Sequence, residues 1–180
     1  MEDYVKKIIL ESFNSLVKTK SFDKITVKMI SDEAGIGRAT FYRHFKDKYD
    51  VMNYNFQMIL ERYFMSKNSE TYEDLFREFL TIGLDKWSSL TKMFDTYGAN
   101  SLHEYIFQAS YNAAYFSLAN KVGEENITDE DRLRLSIFCH GIPFAYEEWI
   151  KGQYDLTPEE GAHAAMEIVP EKLKGKIWDD

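Results

Sequence analysis

Side chains that can bind anions and hydrogen-bond to the edges of bases are concentrated near the N-terminus. They are Arg38, Thr40, Tyr42, Arg43, His44 and Lys48. Arginine can donate two parallel hydrogen bonds to a guanine edge, a threonine methyl group can contact a thymine methyl, and Lys, Tyr and His can bind phosphate oxygens. Such a set has the chemistry of a nucleic-acid surface, provided that one structural element points its members to the same side.

Two short amphipathic helices account for this segment. Thr26 is placed to cap a helix that runs through Ala34, and Gly35 is placed as its C′ residue, where a left-handed backbone favours glycine. A second helix, from Arg38 to His44, follows directly. The apolar contacts between the two helices are expected among Val27, Ile30, Ala34, Ile36, Phe41 and Phe45. Two short helices joined by a glycine-containing turn predict a helix-turn-helix.

A helix-turn-helix inserts the N-terminal part of its second helix into the major groove of DNA. We therefore expect Arg38 and Arg43 to bind guanine edges, and Ala39 or Thr40 to contact a thymine methyl. Phosphate contacts are assigned to Lys28, Tyr42, His44 and Lys48, and Thr26 and Gly37 complete the expected DNA-binding set. The alternative is that the basic face is simply solvated.

The net charge of −8 argues against a nucleic-acid partner for the chain as a whole, because Lys and Arg supply most of the affinity for phosphates. The charge is unevenly distributed, however. Residues 1–50 contain ten Lys and Arg against eight Asp and Glu, whereas residues 51–180 contain twelve against twenty-two. This asymmetry favours a DNA-binding domain at residues 1–48 followed by an acidic domain at residues 49–180.

The composition predicts a soluble protein with one main core. A chain of 180 residues allows a small module joined to a larger one. No apolar run approaches the roughly 18 residues of a membrane span, and the N-terminus lacks the apolar core of a secretion signal. Cys139 is the only cysteine, so no intrachain disulfide forms and a cytoplasmic location is expected. This cysteine and the four scattered histidines match no metal-binding spacing, and we expect no metal or cofactor.

Helical periodicity dominates the sequence and predicts an all-α fold of about nine helices. The first helix is expected from about Asp3 to Thr19, a long one from Lys48 to about Phe64, and a break near residues 86–90. Other helices should begin where a Ser or Thr is followed three positions later by an acidic residue, which is the capping-box pattern. The pairs are Thr71 with Asp74, Ser101 with Glu104, Thr128 with Asp131, and Thr157 with Glu160.

The acidic domain is rich in aromatic residues. Because Tyr and Trp combine an apolar body with a polar tip, convergent ones suit a ligand cavity, although most are expected to serve the core. The expected pocket residues are Trp87, Phe94, Tyr97, Tyr105, Tyr111, Tyr115, His140 and Phe144.

Two late helices, about 129–151 and 158–169, carry residues that permit close helix packing. Leu133, Ile137, Gly141, Ala145, Trp149, Ala162 and Ala165 are the candidates for a symmetric four-helix interface between two copies of the chain. The two-fold axis of such a homodimer would place two heads on half-sites about 34–36 Å apart, or a multiple of this, so the DNA site is expected to be palindromic.

The segment from Thr26 to Lys48 resembles the tetracycline-repressor (TetR) family. The family pattern of Thr-Val-x-x-Ile-x-x-x-Ala-Gly, a short turn, Thr-Phe-Tyr-x-His-Phe and a following Lys is present, and the preceding residues 21–25 fit as well. Ser31 stands where the family usually has Ala, and residues 49–51 replace a common acidic-acidic-Leu triplet. The resemblance covers about the first 50 residues.

This resemblance implies an Ω-shaped homodimer whose first three helices bind DNA and whose body holds an effector pocket and the dimer interface. Residues 140–152 and 157–160 also resemble the body of regulators of dihydroxyacetone-kinase operons. Pro143, inside a predicted helix, departs from that pattern and is expected to kink the helix.

Together these features predict a sequence-specific transcriptional regulator, of the repressor type, whose operator affinity is modulated by a small-molecule effector. The alternative is a TetR-like coactivator that works by binding another regulatory protein. An enzyme is not expected, because the sequence contains neither a nucleophile-base motif nor a phosphate-binding glycine loop.

Overall fold

The computed structural model describes residues 2–64, 71–85, 87–96 and 98–174, and within these ranges the chain forms nine α-helices. They are α1 (Glu2–Thr19), α2 (Val27–Glu33), α3 (Arg38–His44), α4 (Lys48–Phe64), α5 (Tyr72–Asp85), α6 (Trp87–Phe94), α7 (Leu102–Val122), α8 (Asp129–Ile150) and α9 (Pro158–Ile168). Short 3-10 turns span Phe22–Lys24, Glu124–Asn126 and Glu171–Leu173. The predicted all-α fold is confirmed. Helix α5 ends at Asp85 and α6 begins at Trp87, and residue 86, the first residue of the predicted break, lies outside the described residues.

The helices begin where the capping chemistry predicts. At Thr71, Thr128 and Thr157, the threonine hydroxyl accepts a hydrogen bond from the N–H three positions later, and the acidic side chain of that later residue accepts one from the threonine N–H. Ser101 accepts a hydrogen bond from the N–H of Glu104. Since each pair satisfies N–H groups that a helix start leaves unbonded, these local contacts fix where α5, α7, α8 and α9 start.

A continuous core joins the head, α1 to α3, to the body. Ile9 and Phe13 of α1 and Phe41 of α3 belong to the same cluster of buried side chains as Phe94 of α6 and Tyr146 of α8. A second, smaller cluster lies between α5, α7, α8 and the C-terminal 3-10 turn. The head is therefore packed on the body rather than linked to it by a free segment.

Helix α9 packs closely against α5 and the end of α8. A Cβ at Gly161 would lie 2.7 Å from Leu80 Cδ1 and 2.9 Å from Trp149 Cζ3, so glycine permits the close approach. The Trp149 indole Nε1 donates a hydrogen bond to the carbonyl oxygen of Leu80, 3.3 Å away. Trp149 and Ala162 are thus buried within one protomer, which leaves little of either side chain for the dimer interface expected of them. Helix α8 runs unbroken past Pro143, which is buried.

The C-terminal 3-10 turn is tied to the start of α8. Lys172 Nζ lies 2.7 Å from Asp131 Oδ2, the carboxylate that completes the Thr128 capping box. The hydrogen bonds from Lys172 and Thr128 hold the pKa of Asp131 well below its ordinary value. A carboxyl group whose pKa is lowered by folding stabilises the folded state above its ordinary pKa, and this contribution is lost as the pH falls.

We expect Lys172→Met to lower the melting temperature at pH 7, and the difference from the unsubstituted protein to shrink below about pH 4, where the unfolded carboxyl becomes protonated. Lys174→Met is the matched control, because Lys174 pairs with the exposed Glu171. Thermal unfolding followed by circular dichroism from pH 3 to pH 7 makes the comparison. Equal effects of the two substitutions at every pH would contradict the assignment.

Candidate functional site

Helix α3 is held in place by its buried phenylalanine. It has only seven residues, too few to be stable alone, so its position depends on packing. Phe41 is fully buried, and its ring lies 6.1 Å from that of Phe45, which is 4% exposed. Phe45 in turn contacts Tyr54 of α4 with a ring separation of 5.5 Å. One face of α3 is thereby fixed to the head and to α4.

The turn between α2 and α3 has the predicted geometry. Thr26 caps α2 by accepting a hydrogen bond from the Met29 N–H at 3.2 Å. Gly35 has φ +65°, the left-handed conformation that favours glycine. The N–H of Ile36 donates to the carbonyl oxygen of Ser31 at 3.0 Å and closes the turn. The predicted helix-turn-helix segment is therefore present.

The opposite face of α3 is open. Arg38, Ala39, Tyr42 and Arg43 are exposed, Thr40 and His44 are half-buried, and Thr26, Lys28 and Gly37 are exposed beside them. The Arg43 Nη2 donates a hydrogen bond to Thr40 Oγ1 at 3.2 Å, which orients the guanidinium along the helix. On α2, Lys28 forms an exposed ion pair of 2.6 Å with Asp32. Nine of the ten expected DNA-binding residues thus lie at the surface of the helix-turn-helix segment.

Gly37 precedes α3, and nothing lies within 4 Å of the position that a Cβ there would occupy. Its φ of −73° is one that any residue adopts. The fold itself therefore does not require glycine at this position. A bare backbone here leaves the N-terminus of α3 open to close approach by another molecule.

Lys48 has a structural role. Its Nζ donates hydrogen bonds to the carbonyl oxygens of Phe22, at 3.0 Å, and Asp23, at 3.2 Å, and lies 4.5 Å from the centre of the Phe22 ring. Burial lowers the pKa of Lys48, although Asp23 and Asp47 act in the opposite direction. Lys48 thus ties the start of α4 to the 3-10 turn after α1, instead of projecting freely as a phosphate ligand.

The acidic residues beside the basic face are engaged in capping α4. Asp47 Oδ1 accepts hydrogen bonds from the backbone N–H groups of Tyr49 and Asp50. Asp50 Oδ2 accepts one from the N–H of Lys46. Both carboxylates are turned toward backbone donors of the loop, while the Lys46 side chain is left exposed.

A cavity of about 220 Å³ lies in the body between α4, α5, α7 and α8. Four phenylalanines from three helices line it: Phe56, Phe76, Phe79 and Phe138. Small residues of α7 form the facing wall, and the polar side chains in the lining are Tyr72, Ser110 and Cys139. Burial raises the pKa of the Cys139 thiol to about 11, so the thiol is protonated at neutral pH.

The aromatic residues expected at a pocket lie elsewhere. Phe94 is fully buried in the main core, with its ring 5.0 Å from that of His103. Tyr105 packs edge-on against Phe56 and so lies one layer behind the cavity. Tyr97 and the side chain of Trp87 are outside the described residues.

The other three expected aromatics and His140 are partly or largely exposed, and Tyr111 and Tyr115 also pack against the second buried cluster. Tyr111 and Tyr115 stack along α7, and the Tyr115 hydroxyl donates to Glu124 Oε1 at 3.3 Å. His140 is exposed, and Phe144 is half exposed. None of the six described residues of the expected pocket lines the 220 Å³ cavity.

A buried ionic group lies between α7 and α8. His103 Nε2 is 2.8 Å from Glu147 Oε2, and Lys151 binds the other carboxylate oxygen of Glu147. Burial raises the pKa of Glu147, but the hydrogen bonds from Lys151 and His103 outweigh burial and lower it overall. The His103 ring packs against Phe94 and Phe144. This group joins two body helices and does not line the cavity.

Within the described ranges, no three His, Cys, Asp or Glu side chains are grouped so as to hold a metal ion. No helix in the same part of the chain is long and apolar enough to cross a membrane.

The solved structures that share this fold include DhaS, NalD and FadR. The dihydroxyacetone kinase operon activator DhaS matches with a TM-score of 0.54 and 16% identity, over 92% of both chains. NalD, the secondary repressor of the MexAB-OprM multidrug efflux pump in Pseudomonas aeruginosa, matches with a TM-score of 0.55 and 17% identity. The match covers 93% of this chain and 95% of NalD. The fatty acid degradation regulator FadR from Bacillus halodurans matches with a TM-score of 0.55 and 12% identity. The match covers 94% of this chain and 97% of FadR. No curated protein matches the chain in sequence.

The class of protein follows from the helix-turn-helix with its open basic face and from the all-helical body: the chain is a DNA-binding regulator. Residues 9–54 match the model of the bacterial regulatory proteins, tetR family. This segment thus matches the family that its sequence motif predicts. DhaS, NalD and FadR are described as an activator, a repressor and a regulator, respectively.

Lys48 and Lys46 allow the structural and the electrostatic contributions to be separated. We expect Lys48→Met to lower the free energy of unfolding by about 1–2 kcal/mol, because two hydrogen bonds from a charged donor are lost. Lys46→Met should leave stability unchanged, since the side chain is exposed. It should reduce the slope of log binding constant against log salt concentration by about one, because one phosphate contact is lost. Urea denaturation and binding titrations at several salt concentrations measure the two effects. A Lys48 variant of full stability with a reduced salt slope would reverse the assignment.

Proposed function

We propose that the chain acts in the cytoplasm as a homodimeric repressor that binds a roughly palindromic operator and is controlled by a small molecule in its body cavity. The observation that carries the DNA-binding part is the open face of α3, where Arg38 and Arg43 are exposed while Phe41 anchors the helix from behind. A short helix so anchored presents its N-terminal side chains rigidly to a groove.

Base and phosphate contacts are divided along this face. Arg43, oriented by Thr40, and Arg38 at the N-terminus of α3 would each bind a guanine edge, and Ala39 would contact a thymine methyl. Exposed Tyr42 and Lys46 would bind phosphates. Lys28, whose ammonium is paired with Asp32, would exchange that exposed ion pair for a phosphate at little cost.

A second copy of the chain is the proposed occupant of an apolar stripe on α8. Leu133 is 60% exposed, Ile137 68% and Phe144 50%, and Gly141 and Ala145 are exposed on the same helix. Spacings of three and four residues place these side chains on one side of α8. A continuous exposed apolar surface of this kind is rare on a monomer and typical of an obligate interface.

Two clefts beside this stripe support self-association. One, of about 670 Å³, is lined by Ile137 and Gly141 of α8, Ile168 of α9 and the C-terminal 3-10 turn. The other, of about 360 Å³, is lined by Ala145 and Ala165 together with Gly141 and Ile168. Ile168 is 72% exposed, so it is available to a partner helix. Of the seven expected interface residues, Leu133, Ile137, Gly141, Ala145 and Ala165 remain in the proposal.

Two contacts connect the proposed effector cavity to the head. Helix α4 lines the cavity with Phe56 and holds α1 through Asn55, whose side-chain amide exchanges hydrogen bonds of 3.0 and 3.1 Å with that of Asn14. At the end of α6, Lys92 Nζ donates to the carbonyl oxygens of Val17 and Lys18, which end α1. A ligand that favours one position of α4 would shift the population of head orientations, limited by its differential affinity for the two states.

Selection of genomic DNA fragments by the purified protein tests the DNA-binding proposal. We expect a palindromic site, bound about 1000-fold or more tightly than random DNA. Arg43→Ala should weaken the selected site by about 1–3 kcal/mol and relax the preference at one base pair of each half-site, because a bidentate contact to a base is lost. Lys46→Met is the control for a purely electrostatic loss, since it should weaken all sequences alike.

An equal loss for selected and random DNA in Arg43→Ala would contradict base reading by Arg43. If no fragment is enriched, the repressor proposal fails. The remaining candidate is then a coactivator that binds another regulatory protein.

The dimer proposal predicts the effect of a charge on the stripe. Ile137→Glu should convert the dimer to a monomer, since it would bury an unpaired carboxylate at the centre of the interface. Leu84→Glu is the matched control, because Leu84 is 52% exposed on α5, outside the stripe. Sedimentation velocity measures the oligomeric state, and circular dichroism checks that each variant folds. A dimeric Ile137→Glu protein would place the interface elsewhere.

A further inference from the structure

We propose that the ligand of the 220 Å³ cavity is a compact, uncharged, apolar molecule that carries no more than one hydrogen-bond donor. This inference rests on the proposed function, since it names the chemical class of the effector. Three properties of the cavity carry it: the lining, the hydrogen bonds that the lining groups already make, and the size.

The walls present almost only carbon atoms. Phenylalanine rings from α4, α5 and α8 form one side, and Ala109, Ala113 and Ala114 of α7 form the other. No Lys, Arg, His, Asp or Glu side chain is part of the described lining. A carboxylate or an ammonium group inside would lose its hydration without gaining a counter-ion, and such burial is strongly unfavourable.

The polar side chains in the lining leave room for one polar group on a ligand. The buried Tyr72 hydroxyl lies beside the Ser117 side chain. Ser110 Oγ donates its proton to the carbonyl oxygen of Ile106 at 2.8 Å, so its oxygen retains lone pairs that can accept a hydrogen bond. The Cys139 thiol, with its pKa raised, remains neutral beside it. A ligand hydroxyl or N–H could therefore donate to Ser110 while the rest of the molecule contacts carbon.

The volume limits the size of the ligand. An apolar cavity of about 150 Å³ accepts benzene. In proportion, the 220 Å³ cavity accommodates roughly nine non-hydrogen atoms. A medium-chain alcohol or a small aromatic compound has this size.

The effect of ligand charge can be tested with three probes of nearly equal length and different head groups: 1-octanol, octanoate and octylammonium. We would measure their binding to the full-length protein by isothermal titration calorimetry at pH 7.5, without DNA. We expect 1-octanol to bind, and both charged probes to bind about 100-fold more weakly or not at all, because the cavity offers no counter-ion. Binding of either charged probe within threefold of 1-octanol, or no binding of 1-octanol, would overturn the proposal.

Two leucine substitutions on α7 locate the bound probe. Ala113 lines the cavity and is exposed on its outer side, so Ala113→Leu should fill the cavity without unfolding the protein. Asn112, its exposed neighbour, is not part of the lining, and Asn112→Leu is the control that adds the same side chain to the same helix. We expect Ala113→Leu to weaken 1-octanol binding at least tenfold and Asn112→Leu to leave it unchanged. Unchanged binding in Ala113→Leu would place the probe on another apolar surface and refute the site.

Operator affinity is measured separately, with and without saturating 1-octanol. If 1-octanol binds the cavity with the expected selectivity but leaves operator affinity unchanged, the ligand class stands and the proposed control of DNA binding by this cavity fails. If either charged probe binds within threefold of 1-octanol, the ligand class fails whatever happens to DNA binding. The two proposals are therefore refuted by different results.

Discussion

The burial of Phe41 is the packing constraint on which the proposed DNA-binding face of α3 depends. A seven-residue helix has no stability of its own, so α3 keeps its position only because Phe41 and Phe45 are enclosed by the rest of the head. That burial fixes the rotation of α3 about its axis, and this rotation decides which side chains point outward. Because Phe41 and Phe45 face the interior of the head, Arg38 and Arg43 lie on the opposite, exposed side of the helix. The arrangement of exposed side chains on α3 is therefore a consequence of packing inside the head.

The same constraint joins the head to the body. Phe45 packs on Tyr54 of α4, and α4 continues to Phe56, which lines the cavity. Because one helix contacts both the anchor of α3 and the cavity, a change of less than one ångström at Phe56 would be carried to the head by a rigid element. The hydrogen bonds of Lys92 to the end of α1 provide a second connection, through α6. The head and the cavity are thus connected by packed helices. Such a connection is required if a ligand in the cavity is to change the position of the head.

The head could be predicted from the sequence because its determinants are local. Thr26 caps α2, Gly35 adopts a positive φ, and the spacing of Phe41 and Phe45 marks the buried face, all within twenty residues. The structural role of Lys48 could not be predicted, for the opposite reason. Its partners are the backbone carbonyl groups of residues 22 and 23, and no side-chain pattern reveals a contact between a lysine and a distant main chain.

The cavity could not be found in this way, because a cavity is defined by the volume that side chains leave empty. Aromatic residues with polar tips are the expected markers, but a tyrosine hydroxyl needs a partner or water, and this draws residues such as Tyr115 toward the surface. The cavity arises where alanines of α7 face phenylalanines from three other helices. A useful signal is nonetheless present in α5, whose residues 72, 75, 76 and 79 form one apolar stripe, and in the small residues 109, 110, 113 and 114 of α7. A stripe of large residues opposite a stripe of small ones predicts a cavity only after the helix pairing is known, and that pairing is set by contacts far apart in the sequence.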